Sequence, residues 1–111
     1  MKTNVLYFIF LVSFGSLTAQ KIYSTNQSYK ADFKVFVVEN EYQADLKVYK
    51  VSRPYEAKKN VGLWYFTNMS YDSDKKIYFC ENEYEADIKV FFVDYKHQAK
   101  WKNSEKKFLL Y

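Results

Sequence analysis

The chain has 111 residues, a formal net charge of +4 and an aromatic content of 22%. Its single cysteine excludes an internal disulfide, and with one histidine beside it, zinc ligation within one chain would need carboxylates for most of the ligands. Two glycines in the whole chain leave no glycine-rich loop to cradle a phosphate.

The first predicted element is a targeting segment. Lys2 supplies a positive start, Val5 to Phe14 a largely apolar run too short to span a bilayer comfortably, and Ser16, Thr18 and Ala19 the small residues before Gln20. This pattern predicts a secretory signal peptide over 1–19, cut after Ala19. An uncleaved membrane anchor is the alternative. Gln20 and not a cysteine stands directly after the segment, so lipid attachment is not expected. The predicted mature domain is 20–111, secreted or periplasmic, with no integral membrane segment once the signal is removed.

From Lys21 a unit of thirteen residues repeats six times, beginning at Lys21, Lys34, Lys47, Leu63, Lys76 and Lys89. Repetition at a fixed period takes precedence over any motif. Position two reads Ile22, Val35, Val48, Trp64, Ile77 and Val90. Position nine reads Tyr29, Tyr42, Tyr55, Tyr71, Tyr84 and His97. Position twelve reads Asp32, Asp45, Lys58, Asp74, Asp87 and Lys100, and one insertion, Asn60 to Gly62, lengthens the third unit.

Each unit opens with period-two alternation of Val, Ile, Tyr, Phe and Thr, which predicts a short strand. Positions two and four face one way, and one, three and five the other. Position four is Phe66, Phe79 and Phe92 in the last three units, which predicts central, doubly buried strands there. Ser24 and Lys50 at that position predict more exposed strands earlier. The second half of each unit, as in Asn40-Glu41-Tyr42-Gln43-Ala44-Asp45, predicts one helical turn capped by Asn or Ser. Its Tyr and Ala are expected to anchor the turn on the sheet. Trp101 and Phe108 to Tyr111 form an apolar tail expected to dock. The predicted class is therefore mainly β with short helical turns (α+β), in a small single domain. Its connections are too short for ordinary parallel crossovers, which leaves antiparallel pairs, a tight solenoid or something less usual.

The segment from Tyr84 to Ala99, with its Tyr-x-Ala-Asp-x-Lys-Val motif, and the ending from Trp101 to Tyr111 resemble the septoil-knot family of small bacterial proteins. The resemblance covers nearly all of the predicted mature chain. Lys100 and Phe108 depart from it, standing where a small residue and a histidine are expected. It implies a seven-crossing knotted backbone and no particular activity. The composition itself does not point to a knot, since chains generally avoid them.

Chemistry-bearing residues are few. Cys80 and His97 could in principle form a nucleophile–base pair, but both occupy repeat slots otherwise filled by Val or Thr and by Tyr. The recurring Asp32, Asp45, Asp74 and Asp87 could bind Ca2+ or transfer protons, although one repeated position more simply means one repeated structural job. No catalytic, cofactor-binding or metal-binding residue is assigned, and no cofactor or nucleic acid is expected. Lys96, Lys100, Lys102, Lys106 and Lys107 concentrate positive charge near the end. The expected function is that of an exported, non-enzymatic structural or binding protein, taken as a monomer. The alternative is a module that binds envelope glycans or polyanions through exposed Tyr and Lys.

Overall fold

The computed structural model describes residues 20–111, so the predicted signal peptide lies outside the described residues. Each unit contributes one strand: β1 (Lys21–Ser24), β2 (Phe33–Val37), β3 (Leu46–Lys50), β4 (Leu63–Phe66), β5 (Lys75–Phe79) and β6 (Ile88–Phe92). A two-residue β7 (Lys100–Trp101) pairs antiparallel with β3. The other pairings are all parallel. They run β4-β1-β5-β2-β6-β3, and β3 pairs back to β4, which closes a six-stranded barrel. The chain therefore circles the barrel twice: β1, β2 and β3 take alternate places, and β4, β5 and β6 fill the gaps between them.

Four of the parallel connections have only eight residues, below the usual crossover length, and the register explains how they suffice. At every interface, position four of one strand faces position two of the next: Ser24 with Ile77, Val35 with Phe79, Val37 with Val90, Val48 with Phe92, Lys50 with Trp64, and Ile22 with Phe66. Six offsets of two residues make a shear of twelve. With a rise of about 3.3 Å per residue and a strand spacing of about 4.8 Å, this shear corresponds to a tilt of about 54°, steeper than in most barrels. Ser24 ends β1 in the same row as Ile77 and Phe33, the first residue of β2. The connection thus crosses only two ladder spacings, roughly 10 Å, with no return along the strand. Eight residues reach well beyond that distance, and the slack forms a turn over the intervening strand.

Those turns are 3-10 rather than α. Six have three residues: Ser28–Lys30, Glu41–Gln43, Pro54–Glu56, Ser70–Asp72, Glu83–Glu85 and Lys96–Gln98. A seventh, Ser104–Leu110, ends the chain. The expectation of a mainly β domain with short helical turns holds, but among the described residues no α-helix occurs, so the architecture is a β barrel wrapped in 3-10 turns rather than α+β. The expected Asn and Ser caps are also absent: no side chain caps any of the first five turns. Thr25 and Thr67 do part of that work, each accepting a bond from the backbone N–H two residues on.

Position two of all six units is fully buried and forms the barrel interior with Phe33, Leu46 and Ile88. Trp64 fills the slot where the other units carry Ile or Val, and it is fully buried. Position four is not centrally buried, because a closed barrel has no central strand. Around the mouth it alternates Ser24, Phe79, Val37, Phe92, Lys50 and Phe66, the large rings coming from the second circuit. The rings pack on one another with centroids 6.4 Å apart, and Lys50 Nζ lies 4.5 Å from the Phe92 centroid. The tail docks only in part. Leu110 is buried and Leu109 and Trp101 pack against the core, but Phe108 and Tyr111 stay exposed.

Candidate functional site

Four position-twelve aspartates perform one structural job between strands. Each donates its own N–H to, and accepts through Oδ2 from, the position-one backbone of a neighbouring strand. Asp32 grips Lys76, Asp45 grips Lys89, Asp74 grips Lys21 and Asp87 grips Lys34, with Oδ2 to N distances of 2.7–2.9 Å. The expected acceptor role holds, but the donors lie 44 or 53 residues away rather than in the local turn. These paired bonds fix where each turn re-enters the barrel.

The turns, four of them pinned in this way, present their central side chains outward. Tyr29, Tyr42, Tyr55, Tyr71 and Tyr84 are 57–85% exposed, and His97 is exposed at the sixth site. The expectation that these tyrosines anchor the turns is therefore wrong. A three-residue 3-10 turn closed by bonds from positions ten and eleven back to seven and eight points position nine away from the strand. Alanine at position eleven does anchor: Ala44 and Ala57 are buried. The result is a girdle of rings, one per sector of the barrel.

Between neighbouring turns lie shallow clefts. One of about 650 Å³ is lined by Tyr23, Thr25, Gln27, Lys30, Asp32, Ser70 and Lys76, among others. A second involves Glu81, Glu83, Tyr84, Lys89 and Lys106. Its charges are internally matched, with Lys89 paired to Glu83 at 3.4 Å.

The family model described as the 7(1) septoil knot domain matches residues 19–102. The chain belongs to the septoil knot domain family. No curated protein and no solved structure matches it.

Within this septoil knot domain, Cys80 and His97 lie in different sectors. Cys80 directly follows β5 and is buried, its Sγ 3.4 Å from the Val35 and Asn82 carbonyl oxygens. Burial pushes its thiol above the usual range. His97 lies in the turn over β3 and stacks on Tyr95 with centroids 5.9 Å apart. β2 and β6 separate the two strands concerned. Among the described residues no group of three or more His, Cys, Asp or Glu side chains is placed to hold a metal ion, and no helix is long and apolar enough to cross a membrane.

The septoil knot domain is closed at its other end by the tail. Asp45 accepts from Asn103 Nδ2 at 3.3 Å and pairs with Lys106 Nζ at 3.4 Å. Trp101 Nε1 donates to Asn60, Asn60 Nδ2 donates to the Lys107 carbonyl, and Gln20 Nε2 donates to the Leu110 carbonyl. The clefts escaped the sequence reading because they depend on which turns are neighbours, and the double winding places distant units side by side.

Proposed function

We propose that this chain is an exported, knotted, non-catalytic binding protein whose turns hold tyrosines and lysines against envelope glycans or polyanions. The carrying observation is the exposure of all five repeat tyrosines, four of them on turns pinned by an aspartate. Large apolar rings left in water at the same site of every unit offer stacking faces at little conformational cost. The knot rests on family membership and on the second circuit of strands threading between those of the first. Export rests on the sequence of the first nineteen residues. A purely structural role is favoured by one observation, the four aspartate clamps, which lock the barrel without a disulfide.

The test is binding to a panel of immobilised peptidoglycan fragments, polyuronates and neutral glucans. The comparison is a variant with all five tyrosines changed to serine. The tyrosines are exposed, so far-UV circular dichroism should be unchanged, each surface substitution costing within about 0.5 kcal/mol. Binding by the natural protein that the variant loses supports the proposal. No binding to any member, or equal binding by the variant, overturns it and leaves the structural role.

A further inference from the structure

The five position-one lysines lie in the same environment five times over, so their partners can be compared. Each sits beneath a turn from another unit and just after its own. Lys47 pairs with Glu41 at position eight of the preceding turn, at 2.6 Å, and Lys89 pairs with Glu83 in the same way at 3.4 Å. Lys21 pairs with Asp72, at position ten of the overlying turn, at 3.1 Å. Lys34 follows Ser28 at position eight, but the overlying turn brings Glu85 at position ten. Lys76 has neither acid. Position eight of its preceding turn is Ser70, and position ten of the overlying turn is Lys30. No ion pair is formed by Lys76 or Lys30 among the described residues.

Both lysines line the larger cleft. The one carboxylate there, Asp32, has its Oδ2 committed to the Lys76 backbone N–H at 2.7 Å. Around this excess of one positive charge stand Thr25, Asn26, Gln27 and Ser70, which supply hydroxyls and amides, and the half-buried ring of Tyr23. A volume of about 650 Å³ admits a single sugar ring. Two unpaired ammonium groups favour an anion, and the polar wall can satisfy several hydroxyls.

We propose that the cleft between the first and fourth turns binds an acidic sugar, its carboxylate held by Lys30 and Lys76 and its hydroxyls by Asn26, Gln27 and Ser70. This deepens the glycan reading by naming the subsite and the charged unit it takes, and it rests on that reading.

The experiment is titration of the isotope-labelled protein with sodium glucuronate, glucose and sodium sulfate, followed by amide chemical shifts. Glucuronate should give saturable shifts at Asn26, Gln27, Lys30 and Lys76 with a dissociation constant in the millimolar range, and glucose should not. Ser70→Glu installs the acid found at position eight before Lys47 and Lys89. It should pair with Lys76 and weaken glucuronate binding about tenfold or more while leaving the other amide signals in place. Lys76→Gln, which keeps the backbone bonds to Asp32, should act likewise. Absence of saturable shifts, or glucuronate binding unaffected by Ser70→Glu and Lys76→Gln, would overturn the proposal. Sulfate acting as strongly as glucuronate would overturn its sugar component. Neither variant alters a girdle tyrosine, so a failure here with tyrosine-dependent glycan binding intact condemns the cleft alone.

Discussion

The aspartate clamps are chemically alike but differ in setting, and the difference can be measured. Asp87 is exposed and accepts one backbone bond, from Lys34 at 2.8 Å. Asp45 is buried and accepts from Lys89 N at 2.8 Å and Asn103 Nδ2 at 3.3 Å, while Lys106 pairs with it at 3.4 Å. Asp87→Ala lets water reach the freed Lys34 N–H, so the loss should be that of one ordinary bond, about 1 kcal/mol. Asp45→Ala strands a half-buried N–H that had a charged acceptor, about 1.5–3 kcal/mol. It also removes the Asn103 bond, about 1 kcal/mol, and a half-exposed ion pair of at most about 1 kcal/mol. The expected total for Asp45→Ala is therefore about 2.5–5 kcal/mol. For a domain of this size each kcal/mol lowers the Tm by about 4–8 °C, so the Asp45 variant should melt about 6–32 °C below the Asp87 variant. Urea and thermal unfolding followed by circular dichroism and tryptophan fluorescence would supply both numbers. Losses for the two variants within about 1 kcal/mol of each other, below the spread expected from burial, would refute the claim that Asp45 ties the tail to the barrel.

Gly62→Ala should destabilise by more than about 2 kcal/mol, as read by urea unfolding, because φ is +94° and a Cβ would collide with the Lys47 carbonyl oxygen. Truncation after Trp101 removes buried Leu110 together with the acceptors of Gln20 and Asn60. It should destabilise the whole domain rather than trim a loose end, whereas unchanged urea stability would show the tail to be dispensable. Native Cys80 should react with a maleimide far more slowly than the urea-unfolded thiol at pH 8, since burial keeps it protonated; Cys80→Val should fold normally. Mass spectrometry of the exported protein should find Gln20 as its first residue, and an intact Met1 would contradict the signal-peptide proposal.

The repeat made much of this structure legible. Alternation put Ile22, Val35, Val48, Trp64, Ile77 and Val90 on one face of their strands, and the structure shows that this face is the barrel interior. What alternation cannot express is how strands are arranged around an axis. The three phenylalanines of position four looked like central strands, yet they are alternate members of a ring at the mouth. The tyrosines looked like anchors because they recur, but a 3-10 turn of three residues turns its middle side chain outward whatever its size. The aspartates' role was half visible: recurrence indicated a backbone acceptor, whereas their partners, some fifty residues distant, depend on a closure that no single unit encodes. The isolation of Lys76 is written in positions eight and ten of the repeat alignment. It becomes readable only once the first and fourth turns are known to be neighbours.

The central structural claim is that two circuits of strands interleave with a constant offset of two residues. Inter-strand amide-to-α-proton Overhauser effects test it most directly, because β5 must lie between β1 and β2. The account predicts contacts linking the Ser24–Ile77 and Ile77–Phe33 pairs, and likewise Val37–Val90 and Val90–Leu46, with none between β1 and β2 directly. Direct contacts between β1 and β2, or between β2 and β3, would contradict it. They would mean that successive units stack as a simple solenoid, and the knot, the neighbouring first and fourth turns and the cleft between them would fall together.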